Sequence, residues 1–311
     1  MTSPQAGSAK APHIDDRTRR TARRLLSGAG SAAVTAYRID PSAPSTYVAH
    51  ALSKDGRVLV AACPAPGSPL AVVPEASSTE VRVDITLDAA EPGVRITAAT
   101  AHLLGHLTWV SAEEAAGVLG SACTPACRCA ITGEDPLERL AQVAGAPGGR
   151  LGIVTTERVM LHCVTGVSSH TVSEVLGVEA AGGTAAAHSV STHPTHPASG
   201  AWNAQEVLAA HEAVSAVGQL GLRAVCDAVR QGEAHGWVCS SRPSVGVCAS
   251  LWDRILCVDV DMHGATLMHI TGEEVTTLVV AFSEPLQAAA EAGQHLEQMA
   301  AELLPRRLAR P

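Results

Sequence analysis

The chain has 311 residues, is 46 % apolar and carries a formal net charge of −8. That length accommodates two ordinary domains with real cores, and that charge argues against a general nucleic-acid surface. Aromatic residues make up only 2 %, so the core rests on Ala, Val and Leu, and a site that stacks bases or flavin rings on aromatic side chains is not expected.

Residues 1–15 are rich in Ser, Pro, Gly and Ala and read as a disordered tail. Met1 to Ala22 is polar, and no apolar run reaches the length of a membrane span. A cytoplasmic protein without membrane contact is therefore expected. Nine cysteines in that setting are thiols or metal ligands rather than structural disulfides. Arg17 to Leu26, RTRRTARRLL, predicts a short amphipathic helix with Asp15 and Asp16 ahead of it. Its basic side faces either solvent or an anion: a phosphate, an anionic cofactor or an acidic partner.

Strands follow at Ala32–Arg38 and Tyr47–Leu52, then an Asp55-Gly56 turn and a return strand to Cys63. Val81 to Leu87, VRVDITL, alternates cleanly. Val94–Thr100 and Ala101–Val110 continue as strands, and Gly105 suggests a bulge or sharp bend. Such a series predicts a small closed antiparallel barrel. Ser111 to Glu114 reads as a capping box opening a helix to Leu119, and Asp135–Val143 predicts another helix. Strands at Leu151–Val154 and Val159–Val164 precede a segment from Gly166 to Glu174. This first domain spans 16–179.

Residues 180–200 hold Gly, Pro, Ser, Thr and three His without periodicity, and read as a linker or mobile loop. The second domain, 201–311, opens with helical spacing from Asn203 to Arg230, broken near Gly218 and Gly221. Gly236–Ser250 holds one or two short strands. Ile255 to Phe282 reads as a three-stranded antiparallel meander, and a helix is predicted from about Pro285 to Leu303.

Phosphate loops, dinucleotide fingerprints, zinc-protease helices and serine elbows are absent from the sequence. Cys123, Cys127 and Cys129 place three thiols within seven residues, close enough to reach one zinc ion or iron–sulfur cluster. Free or redox-responsive thiols explain them too. His102 and His106 share one side of a strand and would meet a cofactor if that side lines a cavity. His211, on a helix, and His235, His263 and His269, around the second-domain sheet, are further candidate iron ligands.

Two motifs carry a resemblance. They are Cys257-Val-Asp259-Val-Asp-Met-His-Gly264-Ala-Thr-Leu267 and Val280-Ala-Phe282-Ser-Glu-Pro285. With the helix opening near Asn203, they make Trp202 to Arg307 resemble the small α+β domain of unknown function fused to split barrels in the HugZ-like haem oxygenase group. Arg17 to Glu174 has the strand and helix order of that group's pyridoxamine-phosphate-oxidase-like, FMN-binding-type split β-barrel. The resemblance implies an α+β chain: a split barrel, then a small α+β domain with a three-stranded meander and flanking helices. It also implies haem binding, in some members haem degradation, and a homodimer with barrel faces meeting. A grip for a flavin phosphate is not visible, so FMN is not expected.

The leading expectation is a haem-binding protein of haem or iron homeostasis. One of His211, His102, His106 or His263 would serve as axial ligand, with Arg20 and Arg24 meeting the propionates. The alternatives are a non-catalytic scaffold that regulates a protein partner, and a metal or redox sensor built on Cys123, Cys127 and Cys129.

Overall fold

The computed structural model describes residues 12–122, 135–177, 202 and 204–308. Residues 1–11, the segment 180–200 and the three cysteines Cys123, Cys127 and Cys129 lie outside the described residues. The first part runs α1 (Pro12–Leu26), β1 (Ser31–Thr35), β2 (Thr46–Leu52), β3 (Val58–Ala62), α2 (Pro69–Val72), β4 (Ser78–Asp88) and β5 (Thr97–Trp109). It continues through α3 (Ala112–Gly120), α4 (Pro136–Gly145), β6 (Arg150–Thr155), β7 (Arg158–Cys163), β8 (Gly166–Thr171) and α5 (Val172–Gly177). The second part comprises α6 (Ala204–Ala216), α7 (Gly218–Gln231), β9 (Gly236–Pro243), β10 (Arg254–Asp261), β11 (Gly264–Ile270), β12 (Glu274–Ala281) and α8 (Glu291–Leu308).

Strands pair in the order β4-β1-β2-β3-β6-β5, and β4 pairs with β5, so six antiparallel strands close into a barrel. The alternation of β4 turns Val81, Val83 and Ile85 inward, where each is fully buried. Burying a side chain of this size contributes roughly 1.5–3 kcal/mol. Helix α1 adds Ala22, Leu25 and Leu26 to the same core. It starts at Pro12, inside the segment read as a tail. On the other side of β2, β3 and β6, Ala51, Leu59 and Leu151 pack under α3 and α4. Both of those helices are capped: Ser111 Oγ accepts from Glu114 N–H, and Asp135 Oδ1 accepts from Leu137 N–H at 2.8 Å.

The region expected as two strands, Val94–Thr100 and Ala101–Val110, contains the single long β5. Gly105 marks a change of partner rather than a bulge. Along one side β5 pairs with β4 without interruption across Gly105. Along the other it pairs with β7 through Leu103 and with β6 from His106. A Cβ at Gly105 would collide with the carbonyl oxygen of Thr155, where the chain leaves β6.

The second sheet has four strands, in the order β10-β11-β12-β9. The predicted meander is present, and β9 adds to its far side through pairs with β12. Helices α6, α7 and α8 cover one face, burying Ile255, Leu267, Leu278 and Val280. The β4–β5 connection covers part of the other, where Val94 and Ile96 meet Leu256, Ile270 and Val275. Gly218, at φ +77°, separates α6 from α7. Helix α8 begins at Glu291, later than the predicted Pro285. The Glu291 carboxylate accepts from Gln287 N–H at 2.9 Å and from Ala288 N–H at 3.2 Å, which ties the preceding segment into a turn.

The two parts meet through charge. A register shift in β10 between Cys257 and Asp259 lets Cys257 and Val260 both join the helix-side core. Asp259 and Asp261 then face α1. Arg17 lies 3.4 Å from Asp261 and 3.9 Å from Asp259, and its Nη2 donates to Thr266 Oγ1 at 3.0 Å. Arg24 Nη2 reaches Asp259 at 3.0 Å. The acidic partner of the basic helix is therefore the chain's own β10.

Candidate functional site

The outer face of β4, β5, β7 and β8 carries the densest set of side chains able to bind a ligand. Register places Asp84 on β4, His102 on β5, Met160 on β7 and Ser169 on β8 in one row. The row beside it holds Thr86, Thr100, His162 and Val167. Inward residues of β5, such as Leu103 and Leu107, fill the barrel core, so the period of two turns His102, Leu104 and His106 outward. Leu104 is 65 % exposed and Val167 58 % exposed, and Met160 is exposed as well. The face is thus apolar and open, with polar groups set into it.

His102 is the best-defined of these groups. Its Nδ1–H donates to Asp84 Oδ1 at 2.6 Å. In the neutral ring this sets the tautomer and leaves the lone pair on Nε2, which has no hydrogen-bond partner among the described residues. The ring meets His162 edge-on, with centroids 5.0 Å apart. Arg82 Nε donates to the second Asp84 oxygen at 2.9 Å, so the carboxylate that orients the imidazole is itself held. Arg158 lies on the same face, its Nε bonded to Ser169 Oγ at 3.1 Å.

The remaining candidates are scattered. His106 is exposed on the same side of β5, opposite Glu80. His263 sits in the β10–β11 turn, where its backbone N–H donates to Asp261 Oδ1. His211 is buried on α6, and its Nε2–H donates to Cys257 O at 2.8 Å. That bond covers the open edge of β10, so liganding iron through Nε2 would strip the strand of a partner. Arg24 is committed to Asp259. Arg20 lies at the same junction, where burial pulls its guanidinium below the usual range against the raising influence of Asp261 and Asp16. Neither arginine belongs to the His102 face.

Neither Asp84 nor Met160 and Val167 stands out in the sequence. The available signal was the alternation of β4 against β5, which pairs Asp84 with His102 once the hairpin register is known. Burial pushes the Cys226 thiol up to about 12 and the Cys257 thiol up as well, so neither is a thiolate at neutral pH. Among the described residues, no three His, Cys, Asp or Glu side chains gather as a metal shell. Nor does any described helix have the length and apolarity to cross a membrane.

These features define a closed six-stranded antiparallel barrel joined to an α+β unit, with an oriented imidazole on the barrel's outer face. No family model matches the chain, and no curated protein does. Among solved structures, it is similar to a haem-binding protein from Mycobacterium smegmatis at 13 % identity and a TM-score of 0.44, over 97 % of this chain and 100 % of that one. It is also similar to the protein Atu2129, of unknown function, from Agrobacterium tumefaciens str. C58, at 15 % identity and a TM-score of 0.31 over 96 % and 100 % of the two chains. Both scores are low, and the architecture stands on the strand pairing described above.

Proposed function

We propose that the chain is a cytoplasmic haem-binding protein of the HugZ-like split-barrel type, with His102 as axial ligand. The observation that supports this reading is the Asp84–His102 pair at 2.6 Å, which presents Nε2 on an exposed apolar face. A carboxylate behind Nδ1 both orients a histidine ligand and raises its basicity toward a metal. The donor set suits haem better than a bare ion. A bare ion needs three or four protein ligands, whereas haem iron brings four ring nitrogens and takes a single imidazole. Leu104, Met160 and Val167 offer apolar surface to a macrocycle, and Arg82 and Arg158 are the cations available to its propionates. Bound haem would supply a redox-active iron; the chain itself holds the ligand's tautomer and orientation.

Haem on an open face leaves one side to water, and a second copy meeting it there would exclude that water. A homodimer through this face follows from the proposal. Addition of one equivalent of haemin to the purified protein should give a sharp Soret band that shifts on reduction. His102→Ala should abolish it, and Asp84→Asn should weaken binding about 10- to 100-fold. A spectrum that matches free haemin in the unaltered protein would refute the reading and leave the face as a contact for a protein partner. Retention of the band in His102→Ala with loss in His211→Ala would move the ligand to α6.

A further inference from the structure

A cavity of about 470 Å³ lies between the β4–β5 connection, α6, α7 and the start of β10, away from the His102 face. Its walls include Leu208, Leu222 and Ile255, with Glu91 and Arg254 among the charged groups. Glu91 comes from the barrel. Its side chain is 8 % exposed, and its Oε1 accepts from Cys257 N–H at 2.7 Å and lies 4.0 Å from His211 Nε2. Its second oxygen, Oε2, has no hydrogen-bond partner among the described residues. Arg254 likewise has no ion pair among the described residues.

That carboxylate oxygen keeps its acceptor capacity toward the cavity that Glu91 lines, where a ligand cation can meet it in a charge-assisted contact. Arg254 stands three residues before Cys257 on β10, about 10 Å along the strand. Glu91 and Arg254 both line the cavity, whose walls they share with Leu208, Leu222 and Ile255 and with Glu212 on α6. Gln219, which also lines the space, is already bonded to both backbone groups of Ile255 and adds no free charge.

We propose that this cavity binds a small aliphatic zwitterion, an ω-amino acid, with its ammonium group on Glu91 and its carboxylate on Arg254. The methylene chain between them lies on Leu208, Leu222 and Ile255. The site does not depend on haem, and neither reading rests on the other.

Titration calorimetry with 6-aminohexanoate, hexylamine and hexanoate tests it on the full chain. The zwitterion should bind saturably and roughly tenfold or more tightly than either singly charged probe, since each lacks one charge-assisted contact. Glu91→Gln keeps an oxygen for Cys257 N–H and so preserves the strand edge, yet should lower affinity for 6-aminohexanoate and hexylamine together. Arg254→Gln should lower affinity for 6-aminohexanoate and hexanoate and leave hexylamine unchanged. Absence of saturable heat with all three probes overturns the proposal, and so does binding of 6-aminohexanoate that neither substitution alters.

Discussion

In the barrel, β4 pairs with β1 on one side and β5 on the other, so the ring returns on itself, and β7 takes the stretch of β5 that β6 does not reach. The C-terminal sheet stays open, and its edge strand β10 is covered by side chains instead. Gln219 mimics a neighbouring strand, accepting from Ile255 N–H at 2.6 Å and donating to Ile255 O at 3.0 Å. One pair further on, Glu91 accepts from Cys257 N–H and His211 donates to Cys257 O. Closure makes the barrel's hydrogen bonding its own. The open sheet borrows its partners from two helices and from the barrel, so its integrity depends on how the two parts meet.

The sharpest way to break that dependence is Arg17→Ala. It leaves Asp261 and Thr266 facing a void at a nearly buried site, with Asp259 held by Arg24 alone. Breaking a buried pair from one side costs about 3–5 kcal/mol. Scanning calorimetry should show the C-terminal unit melting earlier and the barrel less affected. A single transition with an unchanged midpoint would show that the junction contributes little.

Gln219→Ala is the next largest. It strips both groups of Ile255, each worth about 1–3 kcal/mol when left unsatisfied. Amide exchange at Ile255 should quicken markedly while β4 and β5 stay protected. Equal protection in both sheets would mean that water replaces the side chain at little cost.

The smallest effect near neutrality is a pH slope on the barrel side. His50 is buried, and its Nε2–H donates to Leu25 O at 2.7 Å. Desolvation pulls its folded pKa below the usual value, so the folded chain keeps it neutral while the unfolded chain takes up a proton. Stability is therefore complete above the unfolded pKa of about 6.5 and falls as the pH drops below it, by at most about 1.4 kcal/mol per unit for this residue. Thermal midpoints measured from pH 7 to 5 should show the fall, and His50→Gln should flatten it. An identical slope in both proteins would assign the effect to other groups.

Much of this architecture was legible because it is local. The alternation Val81-Val83-Ile85, the turn at Asp55-Gly56 and the meander β10–β12 each follow from residues a few positions apart. What stayed hidden joins distant positions. Nothing in the sequence fixes the pairing of β9 with β12, the change of partner at Gly105, or the bond between Arg17 and a threonine 249 residues later. The candidate site divides the same way. His102 stood out by its spacing from His106, but the value of Asp84 depended on a hairpin register that single-strand patterns do not give. His211, prominent for standing on a helix, proved to be part of an edge.

One consequence concerns light. Of four tryptophans, only Trp109 belongs to the barrel. Its indole is 1 % exposed, donates to Leu70 O and lies 4.6 Å beneath the Arg150 guanidinium. Trp252, in the other part, is 46 % exposed. Iodide should therefore quench Trp252 readily and hardly reach Trp109. The emission that survives quenching comes from Trp109 inside the closed ring and from Trp202, buried in the C-terminal core, which gives each half of the chain an intrinsic fluorescent reporter of its interior.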